Sequence, residues 1–171
     1  MKRPAALFLL VIVLCSSFFS CSTVGNAHTP CREVVAAMTG AEIGLPAGKY
    51  YSLSAPEGDG EYLSDSLISS LFGNGSYPSV ADDWLDGGLY LSLGKHPCEF
   101  AVIFCRNRDT AEDTARILSS RLSAIRITKT DPQYSKMLEN ASVTVIGNYA
   151  ILIISTDTKT ALSVAKKAIN G

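Results

Sequence analysis

The stretch EFAVIFCRNRDTAEDTARILSSRL, Glu99 to Leu122, passes from strand to helix within a few residues. From Glu99 to Arg106 nearly every residue is apolar, and a run without alternation predicts a central strand covered on both faces. Asp109-x-x-Glu112 then resembles a capping box. Ala111, Ala115, Leu118, Leu122 and Ile125 recur at spacings of four and three, which predicts a helix with Glu112, Asp113, Arg116 and Arg121 on its outer side. YAILIISTDTKTALSVAKKAI, Tyr149 to Ile169, echoes the pattern. An aromatic opens the apolar run (Phe100, Tyr149), an Ala follows (Ala101, Ala150), and a Thr-Ala pair (Thr110-Ala111, Thr160-Ala161) lies at the start of the helix.

Each copy is preceded by a shorter apolar segment. Leu89, Leu91 and Leu93 alternate and should share one face of a strand. Ser142 to Ile146 alternates weakly, and Gly147-Asn148 supplies a two-residue hairpin turn. Asp157 or Thr158 caps the last helix, whose inner stripe is Ala161, Ala165 and Ala168 with Ile169. Towards the N-terminus, Thr29-Pro30 offers a cap and first turn for a short helix over CREVVAAM. Glu61 to Phe72 has helical spacing, Lys49 to Leu53 leaves room for one short strand, and Ser76 to Gly88 reads as a loop. The predicted fold class is α+β: a two-layer sandwich of a four-stranded antiparallel sheet with two long helices on one face. It is a ββα-ββα pseudo-repeat, with short N-terminal helices sheltering part of the other face.

The 171 residues suit one domain over 30–171, and a net charge of −1 with no basic patch gives nucleic acid nothing to bind. Residues 1–20 carry Lys2 and Arg3 and then the apolar run AALFLLVIVLCSSFF, which predicts an export signal. Phe18-Phe19-Ser20-Cys21 resembles a bacterial lipobox, with Phe18 where Leu is usual. In that reading Cys21 is lipidated, residues 21–29 are a polar tether, and the partner is the extracytoplasmic face of the cell membrane. A single acyl chain, at ~0.8 kcal/mol per buried CH2, holds only marginally, so stable anchoring takes two or more. Signal cleavage after Gly25-Asn26-Ala27 and retention as an uncleaved anchor remain alternatives.

HPCEFAVIFCRNRDTAEDTARILSSR, His96 to Arg121, together with YSKMLENASVTVIGNYAILIIS, Tyr134 to Ser155, resembles a family of small bacterial lipoproteins filed as a domain of unknown function. The resemblance covers most of Cys31 to Asn170 and is clearest from His96 to Asp157. It implies an extracytoplasmic, lipid-anchored domain, and the family brings no catalytic residue with it.

Chemistry is sparse. Once Cys15 leaves with the signal and Cys21 is lipidated, Cys31, Cys98 and Cys105 remain. Cys98 and Cys105 lie roughly 20 Å apart along one strand, far beyond the ~5.5–6 Å of a disulfide, so three buried free thiols are expected. His28 and His96 are too few for a zinc site, and no cofactor is implied. Asp82, Asp83 and Asp86 read as a solvated turn rather than a cation loop, as do Glu57, Asp59 and Glu61. Ser92-Leu93-Gly94-Lys95 and Ser163-Val164-Ala165-Lys166 spell S-x-x-K without partner motifs. Gly44 to Lys49 falls one residue short of a phosphate loop. A Cys–His pair from His96 with Cys98 or Cys31 needs a third, orienting group.

The expected function is a non-enzymatic binding or envelope-assembly module with an unidentified protein or glycan partner, contacted through Trp84, Tyr90 and Tyr134. The alternative is a small envelope hydrolase acting on cell-wall material through His96, Cys98 and Glu99.

Overall fold

The computed structural model describes residues 28–129 and 131–171. The export signal, Cys21 and the tether up to residue 27 lie outside the described residues. Helix α1 (Cys31–Gly40) is followed by β1 (Gly48–Ser52), α2 (Asp65–Phe72), a 3-10 turn (Ser79–Asp83) and β2 (Trp84–Ser92). Then come β3 (Glu99–Cys105), α3 (Arg108–Thr128), a second 3-10 turn (Pro132–Tyr134), α4 (Ser135–Asn140), β4 (Ser142–Ile146), β5 (Tyr149–Ile154) and α5 (Thr158–Asn170). The fold is α+β. One sheet in the order β1-β2-β3-β5-β4 has every neighbouring pair antiparallel.

The sheet therefore has five strands, not four. The extra one is β1, which pairs Tyr50 with Tyr90 and Tyr51 with Leu89 on the far side of β2. Its flanks are rich in Gly and Pro, so its sequence shows a possible short strand without showing a partner. β2 likewise begins at Trp84, inside the stretch expected to be loop. Gly87 and Gly88 read as turn residues there, yet they are places where other chain segments come close. A Cβ on Gly88 would sit 2.7 Å from the carbonyl carbon of Cys31 and 2.8 Å from the nitrogen of Arg32. The N-terminus of α1 thus lies directly on the backbone of β2.

The two long helices lie on opposite faces, not on one. Ala111, Leu118, Leu122 and Ile125 of α3 pack with Leu89, Ala101, Ile103 and Leu152, joined by Ile68 and Phe72 of α2 and Met137 and Leu138 of α4. Ala161 and Ala165 of α5 pack with Val34, Val35 and Met38 of α1 over Phe100, Val102, Ile151 and Ile153. The sheet is a middle layer, which is why β5 is buried at every position and β3 at all but one although both are antiparallel. The order β2-β3-α3, β4-β5-α5 does follow the repeated pattern. A twofold between β3 and β5 would put both helices on one face, however, and the exits differ. Only Arg106 and Asn107 separate β3 from α3, whereas Ser155, Thr156 and Asp157 separate β5 from α5.

Local signals account for the ends of the elements. Asn107, two residues before the predicted cap Asp109, accepts a hydrogen bond from the Thr110 amide (2.9 Å) and starts α3. Asp157 caps α5 through the Thr160 amide (3.1 Å) and hydroxyl (2.7 Å). Gly147, with φ 57°, takes the first position of the β4–β5 turn, where a two-residue hairpin calls for glycine. At the start of α1, Pro30 brings no capping side chain. The cap comes from across the fold, where the Asp86 carboxylate accepts the Cys31 amide (2.7 Å) and sits at the positive end of the helix dipole.

Candidate functional site

Trp84 and Tyr90 are core residues, which corrects their assignment as partner contacts. Trp84 is 7% exposed, meets Phe72 edge-on and donates its indole N–H to Thr114 Oγ1 (2.8 Å). Tyr90 is 2% exposed, lies between Tyr50 and Phe100, and donates its hydroxyl to the Pro46 carbonyl. Both sit on a strand that helices cover on each side, Trp84 in the core under α3 and Tyr90 in the core under α1 and α5. Tyr134 stays half-buried, its ring edge-on to His96 at 4.7 Å.

The acidic cluster also disperses. Asp83 pairs with Arg106 (2.8 Å), and Asp82 is exposed. Asp86 is buried, and its carboxylate holds the Cys31 and Gly87 amides (2.7 and 2.8 Å) and faces His28 Nε2 at 3.3 Å. His28, expected in the tether, stacks flat on Phe104 with centroids 4.2 Å apart. The chain thus enters the domain pinned at one end of the sheet.

The opposite end holds the site with most chemistry. The β2–β3 turn runs through Gly94 (φ 67°), closed by the Ser92 amide on the Cys98 carbonyl (3.1 Å) and by the Ser92 hydroxyl on the His96 carbonyl (2.6 Å). His96 Nδ1 accepts the Cys98 amide (3.1 Å), so in the neutral ring the proton is on Nε2. Burial holds His96 below its ordinary 6.5, with Glu42 opposing that shift and Lys129 adding to it.

Glu99 opens β3 on the α3 side, and α3 runs back over it. Arg121, Ile125 and Lys129 follow at intervals of four and so share one helix face. Glu99 is buried, and the Arg121 guanidinium bridges its carboxylate from Nε (3.2 Å) and Nη2 (2.9 Å). Arg121 was expected on the outer side of the helix, but the charge it meets comes from a distant strand, out of reach of any helical period. Lys129 crosses to donate to the Gly94 carbonyl (3.0 Å). Together they enclose a cleft of about 220 Å3 with Leu91 and Ile125 in its wall beside His96, Glu99, Arg121 and Lys129. A larger hollow of about 660 Å3 beside it is bordered chiefly by exposed residues such as Lys95, Asp131 and Pro132.

Cys98 and Glu99 line the same cleft as His96, so the residues of the hydrolase reading do come together. Each already has another role. Burial, then Glu42 and Glu99, push the Cys98 thiol up to about 12. Glu99 is held by Arg121, and His96 Nδ1 by the Cys98 backbone. The pairing of His96 with Cys31 is not assembled, because Cys31 lies over Gly88 towards the other end of the sheet. Cys31, Cys98 and Cys105 are free and buried. Burial also raises the thiols of Cys31 and Cys105.

These thiols give two readouts. Alkylation by iodoacetamide at pH 8 should leave all three unmodified in the folded protein and modify all three in denaturant, as mass spectrometry would show. The thiol of Cys98 moves from its ordinary 9.0 to about 12 on folding. The folded state therefore keeps a proton that the unfolded chain has lost, and stability is full below pH 9 and falls as pH rises towards 12. The slope should approach about 1.4 kcal/mol per pH unit for each such group in urea titrations.

Comparison with known proteins adds no relative: no family profile, curated protein or solved structure matches the chain. Among the described residues, no helix is long and apolar enough to cross a membrane.

Proposed function

We propose that this protein is an extracytoplasmic, lipid-anchored binding module, held on the membrane by acyl chains on Cys21 and related to the small bacterial lipoproteins it resembles. The observation that carries this reading is polarity. The chain enters the domain at His28, fastened to Phe104 and Asp86, while the Glu99–Arg121 cleft lies at the other end of β3. Seven residues from Cys21 to His28 reach at most about 24 Å, and β3 adds roughly 20 Å. An anchor at Cys21 would therefore present the cleft outward, where a soluble or wall-bound partner can meet it.

Binding is favoured over hydrolysis because a thiol nucleophile must ionise, and the Cys98 thiol is held protonated up to about 12. Cys21→Ala should release the protein from the membrane fraction and remove the acyl mass from its N-terminal peptide. A wild-type N-terminus without acyl mass would overturn the anchor. Crosslinking in intact cells, with Tyr134 and Lys129 as the expected contact region, would identify the partner.

A further inference from the structure

We infer that the cleft between the β2–β3 turn and the end of α3 binds a small carboxylate, received by Arg121, Lys129 and the Nε2–H of His96. The inference rests on the binding-module reading and names the chemistry of its ligand.

Glu99 and Arg121 form an odd pair for stability alone. Taking the Glu99 carboxylate out of water costs about as much as its attraction to Arg121 returns, and an apolar pair of similar shape would join β3 to α3 as well. What the ion pair achieves is orientation. The guanidinium offers five N–H donors in a rigid fork, and Glu99 takes one from Nε and one from Nη2. Among the described residues, Nη1 has no protein partner. It is not enclosed either, since among the described residues Ser142 Oγ is the one sealed, unpartnered side-chain atom. Nη1 therefore keeps some access to solvent, on a partly exposed side chain that lines the cleft.

The other groups suit the same ligand. Lys129 adds a second cation, tied by one donor to the Gly94 carbonyl. His96 lines the cleft and, with Nδ1 accepting the Cys98 amide, carries its proton on Nε2. Glu99 cancels Arg121, so the lining carries one net positive charge from Lys129. Glu42, the nearby carboxylate that acts on His96 and Cys98, is itself held by the Thr156 amide (2.9 Å) and hydroxyl (2.5 Å). Leu91 and Ile125 supply apolar wall for a short aliphatic tail, and about 220 Å3 admits a small molecule or one terminal residue of a peptide. A carboxylate, like a phosphate, has two oxygens that match a guanidinium edge, and the single net positive charge of the lining suits the singly charged carboxylate.

The test is an amide-resolved NMR titration of the full chain in detergent micelles. The probes are sodium propionate, N-acetylalanine and N-acetylalanine amide, with sodium chloride at matched ionic strength. Saturable shifts at Gly94, His96 and Cys98 with either acid, and none with the amide or chloride, are expected. Propionate distinguishes a free short acid from N-acetylalanine, which stands for a peptide end. Lys129→Gln should weaken binding about tenfold, and Arg121→Lys should abolish saturation. Lys129 is a half-exposed rim residue, so its variant keeps the test valid even if Arg121→Lys fails to fold. Equal shifts with the amide, purely linear shifts with the acids, or unchanged affinity in folded Lys129→Gln would overturn the inference. An acylated Cys21 without carboxylate binding would refute the ligand alone, whereas binding without acylation would refute the anchor alone.

Discussion

Gly88→Ala is expected to lower the stability of the domain by about 3 kcal/mol, at the upper end of the cost of overpacking. In a domain of this size that is a fall in Tm of roughly 10 °C. The added methyl would stand 2.7 Å from the carbonyl carbon of Cys31 and 2.8 Å from the Cys31 oxygen and the Arg32 nitrogen. All three are backbone atoms in the first turn of α1, so no side chain can swing aside. Relief requires lifting the helix off β2, which exposes Val34, Val35 and Met38 and pulls the Cys31 amide from Asp86. Hydrogen exchange should therefore quicken first in α1. Gly40→Ala, at the far end of the same helix with open space around its Cβ, is the control. It should leave Tm unchanged or slightly raised.

Arg121→Ala should be comparably damaging, at about 3–5 kcal/mol, because it strands the Glu99 carboxylate in the interior. Glu99 is 4% exposed, and Arg121 is the partner that satisfies both of its oxygens. The double variant Glu99→Leu with Arg121→Met should recover most of that loss, since neither residue then has a charge to solvate. Urea unfolding of the two single variants and the double variant measures the coupling. A double variant as unstable as Arg121→Ala would mean that the pair holds the fold by shape, not charge. A recovered double variant that no longer binds carboxylate would separate the role of the pair in the cleft from any role in folding.

Where period and propensity acted within one segment, the reading was close. The α3 and α5 stripes, the central burial of β3 and β5, the Gly147-Asn148 turn and the Asp157 cap all rest on neighbours a few residues apart. The site was legible only as three residues close in sequence, His96, Cys98 and Glu99, where the β2–β3 turn enters β3. Its other half, Arg121 and Lys129, looked like ordinary helix surface. Nothing within α3 signals that Glu99 waits beneath it, and nothing around Asp86 signals that it caps a helix 55 residues upstream. Trp84 and Tyr90 failed for a related reason. Trp84 was read in a loop and Tyr90 on the polar face of an alternating strand, and both are covered only because β2 starts early and helices lie over both of its faces.

By itself, the sequence determined the α+β class and the ββα order of the second half of the chain, because each depends on local patterning. The tertiary structure alone decided that α3 and α5 take opposite faces, that β1 completes the sheet, and that Glu99 and Arg121 close one cleft. The physical reason is that an amphipathic helix encodes that it must be covered, whereas which face of the sheet covers it depends on short connections and on distant glycines such as Gly88 that permit contact.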